Sequence, residues 1–285
     1  MRTEYILFQE DCITGVRRIP PGAVDIIVTS PPYNLGVDYG QCDDSKTKSE
    51  YLEWTLAWAM EAHRVLNEDG SFFLNIGASS SNPLLPHEVV LALSKLFVLQ
   101  NTIHWTKAIT VTTTVGEEIS TGHFKPVNSR RYLNNCHEYI FHFTKEGERK
   151  IDRLAVGVAY ADKSNIARWG HTNGKDKRCR GNNWFIPYKT IRNRDSDRPH
   201  PATFPVELPV KCIRLHGCSD DLVMLDPFLG IGHSALAARE CGVKTFYGFE
   251  IEPAYMTLAK EKLGVEGARR PNELFSGADC GKMQG

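Results

Sequence analysis

No apolar run in this chain approaches the ~18 residues of a membrane-spanning helix. The N-terminus lacks the basic-then-apolar pattern of a secretory signal. The eight cysteines (Cys12, Cys42, Cys136, Cys179, Cys212, Cys218, Cys241 and Cys280) include no Cys-x-x-Cys pair. Neither a zinc site nor a disulfide framework is therefore expected, and no metal. A reducing cytoplasm is the default location, with no membrane partner. No internal repeat is visible, and the formal net charge is zero. That balance hides an asymmetry. From Lys145 to Arg198, 14 Lys and Arg stand against 7 Asp and Glu, so this segment carries +7 and the remainder −7. Such a distribution is the electrostatic footprint of a nucleic-acid-facing region; a solvated basic loop is the plainer reading.

At 285 residues, with 41% hydrophobic and 24% charged content, the chain can bury a full core. One large domain, or one domain with an insertion, fits best. Its organising stretch is Thr29-Ser30-Pro31-Pro32-Tyr33-Asn34, which follows the apolar run Ala23–Val28. That run has the length and β-branched content of a buried strand. Each proline fixes its own φ, removes a donor, and biases the preceding residue away from helix. Carbonyls held there have no ladder partner and can accept hydrogen bonds from something else. With the Ser30 hydroxyl and the Tyr33 ring beside them, they outline a pocket for a planar, amine-bearing base; an ordinary Pro-Pro turn is the alternative.

The rest of the chain alternates. Tyr5–Phe8 reads as a strand leading to Asp11 and Cys12, at a strand end where open α/β sheets place ligand contacts. A helix is expected over Tyr51–Leu66, its core face Leu52, Leu56, Met60, His63 and Leu66, with Ser49 as cap and Asn67–Gly70 as its stop. Ser71–Ile76 is a strand, Pro86–Phe97 a helix, and Thr102–Trp105 and His137–Phe143 are strands; residues 108–135 show no strong period. Residues 146–199 break the rhythm, with no clear helix. A helix over Val206–His216 and strands at Leu222–Leu225 and Lys244–Phe249 follow, the last two separated by a helix from Ser234 to Cys241. A helix from Pro253 to Gly264 closes the pattern, and His63, His104 and His142 read as core or surface residues.

A second constellation lies in this last part. Asp226-Pro227-Phe228-Leu229-Gly230-Ile231-Gly232 joins a strand to a helix, and Glu250 ends the next strand 18 residues later. Glycines at such a turn admit a ligand close to the backbone, and an acid after the following strand can hold both ribose hydroxyls. That is the pattern of a nucleoside cofactor. A dinucleotide is disfavoured, since the full Gly-x-Gly-x-x-Gly is absent and His233 and Ala235 occupy the stretch.

Thr29–Asn34 resembles the catalytic motif of the DNA amino-methyltransferases, and Asp226–Gly232 resembles their S-adenosylmethionine motif. Arg198-Pro-His-Pro-Ala-Thr-Phe-Pro205 is similar to the segment that this family places just before the cofactor motif. The order in which they occur is that of the circularly permuted beta class, and the likeness covers roughly residues 4–264. The resemblance implies an α/β fold: a seven-stranded, mostly parallel sheet of the S-adenosylmethionine-dependent type with helices on both faces. It divides the chain into a catalytic half (1–145), a target-recognition insertion (146–199), a cofactor-binding half (200–264) and a tail (265–285).

The same resemblance assigns Ser30, Pro31, Pro32 and Tyr33 to catalysis. It gives Glu250 to the cofactor's ribose, Asp11, with Cys12 beside it, to the adenine, and Phe228, Gly230 and Gly232 to a close-packed loop. Asp226, Pro227 and the segment holding His200, Pro201 and Phe204 would lie near the methionine part. Arg178, Arg180, Arg192, Arg194 and Arg198 become candidates for phosphate or guanine contacts on double-stranded DNA. Further partners it admits are a second copy of the chain and a restriction endonuclease of the same site. The target amine's lone pair is delocalised into its ring, so oxygens at Ser30 and Pro31 that accept its hydrogens would make the nitrogen nucleophilic. Ser30 as the first motif residue favours N4 of cytosine, with N6 of adenine as the alternative. Methylation of RNA or protein amides, a DNA-binding module without catalysis, and an NAD-linked oxidoreductase are the competing readings.

Overall fold

The computed structural model of the chain describes residues 3–34, 45–112, 118–122, 129–168, 172, 174–188 and 203–265. In chain order its elements are β1 (Glu4–Phe8), α1 (Cys12–Val16), β2 (Val24–Thr29), α2 (Lys48–Val65), β3 (Leu66–Ile76) and α3 (Leu85–Leu93). Then come β4 (Val98–Thr112), β5 (Glu118–Gly122), β6 (His137–Thr144), α4 (Ser164–Arg168) and β7 (Asn183–Tyr188). The chain ends in α5 (Glu207–His216), β8 (Val223–Asp226), α6 (His233–Glu240), β9 (Thr245–Phe249) and α7 (Pro253–Leu263). Among the described residues no helix is long and apolar enough to cross a membrane.

The strands form one sheet in the order β1-β9-β8-β2-β3-β6-β4-β5, with β7 paired to β4. From β1 to β3 all neighbours run parallel. β6 is antiparallel to both β3 and β4, and β4 and β5 form an antiparallel hairpin. All seven strands expected from the sequence are present, as β1, β2, β3, β4, β6, β8 and β9.

Side-chain alternation explains why helices cover both faces. Ile6 and Phe8 of β1, Phe72 and Leu74 of β3, and Phe141 and Phe143 of β6 pack with α1, α2 and α3. Leu7, Phe73 and Ile140 point the other way, into a core shared with α5, α6 and α7. Three layers result, each face of the sheet closed by its own helices.

Several expectations change. α2 starts at Lys48 behind Thr47, which forms a capping box with Glu50, while Ser49 lies inside the helix and donates to Glu53. The face that it buries is Tyr51, Thr55, Trp58, Ala59, Ala62 and Val65; Met60 is 59% exposed. Aromatic bulk outweighed the Leu and Met spacing. Asn67–Gly70 do not separate helix from strand: β3 starts at Leu66, and the four residues form an irregularity between the Leu66 and Ser71 pairings with β2. The patternless stretch after Trp105 contains the rest of β4 and the hairpin strand β5. Within the basic segment, β7 runs parallel to β4, and Trp184, 1% exposed, packs in the main core with Trp105 and Ile186.

Candidate active site

The chain brings its chemistry-bearing residues to one edge of the sheet. β1, β9, β8 and β2 are parallel neighbours, so the residues after their last positions lie side by side. These are Glu10 to Cys12, Glu250, Pro227 to Ile231, and Ser30 to Tyr33. Together with Trp54, Phe204 and Tyr255 they line one open cleft. Ligands of open α/β sheets sit at this carboxyl edge.

One wall is the glycine loop. Gly230 and Gly232 hold positive φ, 54° and 87°, where an L side chain would be strained. Gly232 also lies against α7, where an added Cβ would come within 3.2 Å of Ala259. Two carboxylates fasten the loop. Asp226 is fully buried beneath it and accepts from the Thr29 hydroxyl (2.6 Å), the Phe228 amide (3.0 Å) and the Ser234 hydroxyl. Burial pushes its carboxyl up to about 6, although those three hydrogen bonds pull it down. Glu250 accepts from the Gly230 and Glu252 amides, both at 2.8 Å. Its carboxyl is also raised, mainly by burial. His233 Nδ1 donates to the Phe204 carbonyl (2.7 Å), tying the segment before α5 to the first turn of α6.

The facing wall is Ser30–Tyr33. The Pro32 carbonyl is taken by the Tyr51 phenol at 2.7 Å, whereas the Pro31 carbonyl has no hydrogen-bond donor among the described residues. Among the described residues, then, the Pro32 carbonyl is occupied and the Pro31 carbonyl is not. The Tyr33 phenol oxygen is 2.7 Å from Ser30 Oγ, 2.7 Å from Asn75 Nδ2 and 3.1 Å from Glu138 Oε2. Asn75 is at the end of β3; Glu138 begins β6, which is antiparallel and so starts at the same edge. Glu138 pairs with Lys107 of β4 at 2.6 Å.

Of the predicted residues, Asp11, Cys12, Ser30, Pro31, Pro32, Tyr33, Phe204, Pro227, Phe228, Gly230 and Glu250 all line this cleft. Asp226 and Gly232 support its loop from below and behind. Asp11 caps α1, accepting from the Thr14 amide at 3.2 Å. His200, Pro201, Arg192, Arg194 and Arg198 lie outside the described residues. Arg180 donates to the Val156 carbonyl (2.9 Å), and Arg178 rests 5.9 Å from the Tyr160 ring centre. Both Arg178 and Arg180 lie apart from the cleft lining.

The sequence reading missed Trp54, Asn75, Glu138 and Lys107. Trp54 packs against Phe228 (centroids 5.5 Å apart), joining α2 to the glycine loop. The aromatic stripe Tyr51, Trp54 and Trp58, at helical spacing, was the available signal for it. No local signal marks the other three, which meet only through sheet pairing.

The family model described as DNA methylase, of the N6/N4 type, matches residues 24–261. The type II methyltransferase M.BglII of Bacillus subtilis is 27% identical over 272 residues, covering 91% of this chain and 69% of the relative. Among solved structures, the cytosine-N4-specific PvuII DNA methyltransferase superposes with a TM-score of 0.65 at 17% identity, over 96% of this chain and 90% of that one. M1.HpyAVI, solved as a complex with S-adenosylmethionine, gives a TM-score of 0.53 at 20% identity, over 90% and 99% of the two chains.

Proposed function

The chain belongs to the N6/N4 DNA methylase family, and we propose that it moves a methyl group from S-adenosylmethionine to the exocyclic amine of a base flipped out of double-stranded DNA, N4 of cytosine in preference to N6 of adenine. The observation that carries the reading is the single cleft whose two walls are the Ser30–Tyr33 stretch and the glycine loop with Glu250.

The residues present fit the cofactor. Both Glu250 oxygens keep lone pairs after accepting one amide each, enough for two vicinal hydroxyls. Gly230 at positive φ brings backbone close without a side chain, and Phe228, Leu229, Ile231 and Phe249 supply apolar walls. Asp11, with Cys12 beside it, is at the far end, where an amino group of the purine would find an acceptor. When bound, the sulfonium supplies an electrophilic methyl group. The rest is done by the chain: Tyr33 offers a stacking face, and Ser30 Oγ and the Pro31 carbonyl accept the hydrogens of the amine. This draws the nitrogen lone pair out of the ring and aims it into the cleft. A flipped base is required because an amine inside a duplex cannot reach the pocket.

The basic segment 146–199 is the proposed target-recognition region. β7 ties it to the sheet through β4, and its surplus of Lys and Arg suits DNA phosphates. A second copy of the chain and an endonuclease of the same site are further partners of the proposal; light scattering reads the first directly. Ser30 as the first motif residue supports cytosine. The test is incubation with unmethylated DNA and labelled S-adenosylmethionine, followed by nucleoside digestion and mass spectrometry. Labelled N4-methylcytosine is expected. N6-methyladenine would correct the base, and an unlabelled DNA would overturn the proposal.

A further inference from the structure

Ser30 can serve an incoming amine only as an acceptor, yet a serine hydroxyl is equally able to donate. Something must fix which way its proton points. Resting on the amine-methylation reading of the cleft, we propose that Glu138, oriented by Lys107, sets the direction of a hydrogen-bond chain through Tyr33, so that Ser30 Oγ meets the target amine with a lone pair.

The carboxylate oxygens of Glu138 can only accept. Oε1 faces the Lys107 ammonium at 2.6 Å, and Oε2 faces both the Tyr33 phenol (3.1 Å) and Asn75 Nδ2 (2.7 Å). Tyr33 has one proton to give, and the carboxylate is its best acceptor; the Asn75 carbonyl is farther, at 3.3 Å. With that proton committed, the phenol oxygen must accept from its other neighbours. Asn75 Nδ2 donates one hydrogen to it at 2.7 Å and the other to Glu138. The phenol also meets Ser30 Oγ at 2.7 Å, where either atom could donate on distance alone. Only the serine has a proton left. Ser30 therefore donates towards Tyr33 and keeps lone pairs for the cleft, with only a long contact of 3.3 Å from Asn75 Nδ2 to compete for them.

The same chain anchors the Tyr33 ring, whose edge lies where an added Cβ on Gly77 would approach it at 3.2 Å. Glu138 and Asn75 line no part of the cleft, so they act through Tyr33 and Ser30 as positioning residues. Lys107 determines what a neutral substitute would do. In Glu138→Gln the amide oxygen is drawn to the ammonium, and the amide NH2 is left facing the phenol and Asn75. The phenol would then accept from the glutamine and donate towards Ser30, taking one of its two lone pairs and freeing the serine proton to face the amine.

The experiment measures single-turnover methyl transfer, cofactor affinity by titration and the melting midpoint for four proteins: wild type, E138Q, E138D and the pair E138Q with K107M. For E138Q, transfer is expected to fall about tenfold, the scale of one misdirected hydrogen bond, with cofactor affinity and melting midpoint near wild type. E138D keeps an acceptor-only group and is expected to transfer faster than E138Q, although glutamine is the better steric match. Removing the Lys107 charge frees the glutamine to turn its oxygen to Tyr33, so the pair is expected to regain much of the loss. An active wild type with E138Q undiminished, or with E138Q faster than E138D, overturns the inference alone. A wild type that moves no methyl to DNA overturns the reading on which it rests, and the inference with it.

Discussion

The two walls of the cleft are held by different means. On the glycine-loop side, Asp226 and Glu250 reach amides 2, 20 and 2 residues away, at Phe228, Gly230 and Glu252. Strand, turn, helix and strand follow one another in the chain, and backbone amides no more than 20 residues away hold both carboxylates. On the other side, Tyr33 is held by Asn75 and Glu138, 42 and 105 residues away. A short rigid motif is steadied there by side chains that only the finished sheet assembles. The first wall is a folded-in local motif; the second depends on global topology. A hydrogen bond links them: the Thr29 hydroxyl, next to Ser30, donates to Asp226 at 2.6 Å.

Breaking that link should have the largest effect. Asp226→Ala leaves the buried Thr29 and Ser234 hydroxyls without their acceptor, a loss of about 2–5 kcal/mol. Denaturant unfolding is expected to show that loss, with cofactor affinity and transfer falling together because both walls lose their common support. Retained affinity alongside lost transfer would mean that the walls are independent.

Tyr33→Ala sharpens the contrast from one side. Base–aromatic stacking of about 1–3 kcal/mol corresponds to about a 5- to 150-fold loss of turnover. Cofactor affinity, set by the opposite wall, is expected to change little. Equal losses in both quantities would contradict the separation of roles.

A smaller effect probes the sheet beneath the second wall. His142 is buried on β6, between Asn101 and Ser71, and burial with nearby Arg149 lowers its pKa to about 3. His216 is lowered to about 3 by burial, Arg149 and His142. In the unfolded chain both would titrate near 6.5, so their contribution is complete above that pH and is lost as pH falls toward 3. Asp226, raised to about 6, works in the opposite sense between its unfolded value and 6. Glu250, raised by burial, acts in the same sense as Asp226, but the two histidines are displaced further, so the folded state is expected to be weaker in acid. Denaturant unfolding at pH 7 and pH 5 is expected to show the drop, and His142→Gln is expected to shrink it. A drop unchanged in His142→Gln would assign it elsewhere.

The contrast also explains what could be read from the sequence. The glycine loop and Glu250 were legible because the residues that shape them are neighbours in the chain, and their spacing is the geometry. Ser30–Tyr33 was legible as a motif, since two prolines restrict the backbone wherever they stand. Its support was not: nothing near Glu138 in the chain says that β6 runs antiparallel to β3 and delivers that carboxylate to the same edge. The face of α2 was misread for a related reason. Leu and Met spacing described one stripe, and burial of Tyr51 and Trp58 beside Trp54 and Phe228 selected another. β7 was hidden because its six residues, inside a polar stretch, become a strand only by pairing with β4.

The most direct test is a structure of the chain with S-adenosylmethionine bound. The ribose hydroxyls are expected on Glu250, the purine beside Asp11, and the methyl group facing Ser30 and Tyr33 across the cleft. A cofactor bound away from Glu250, or with its methyl turned from the Ser30–Tyr33 wall, would contradict the proposal.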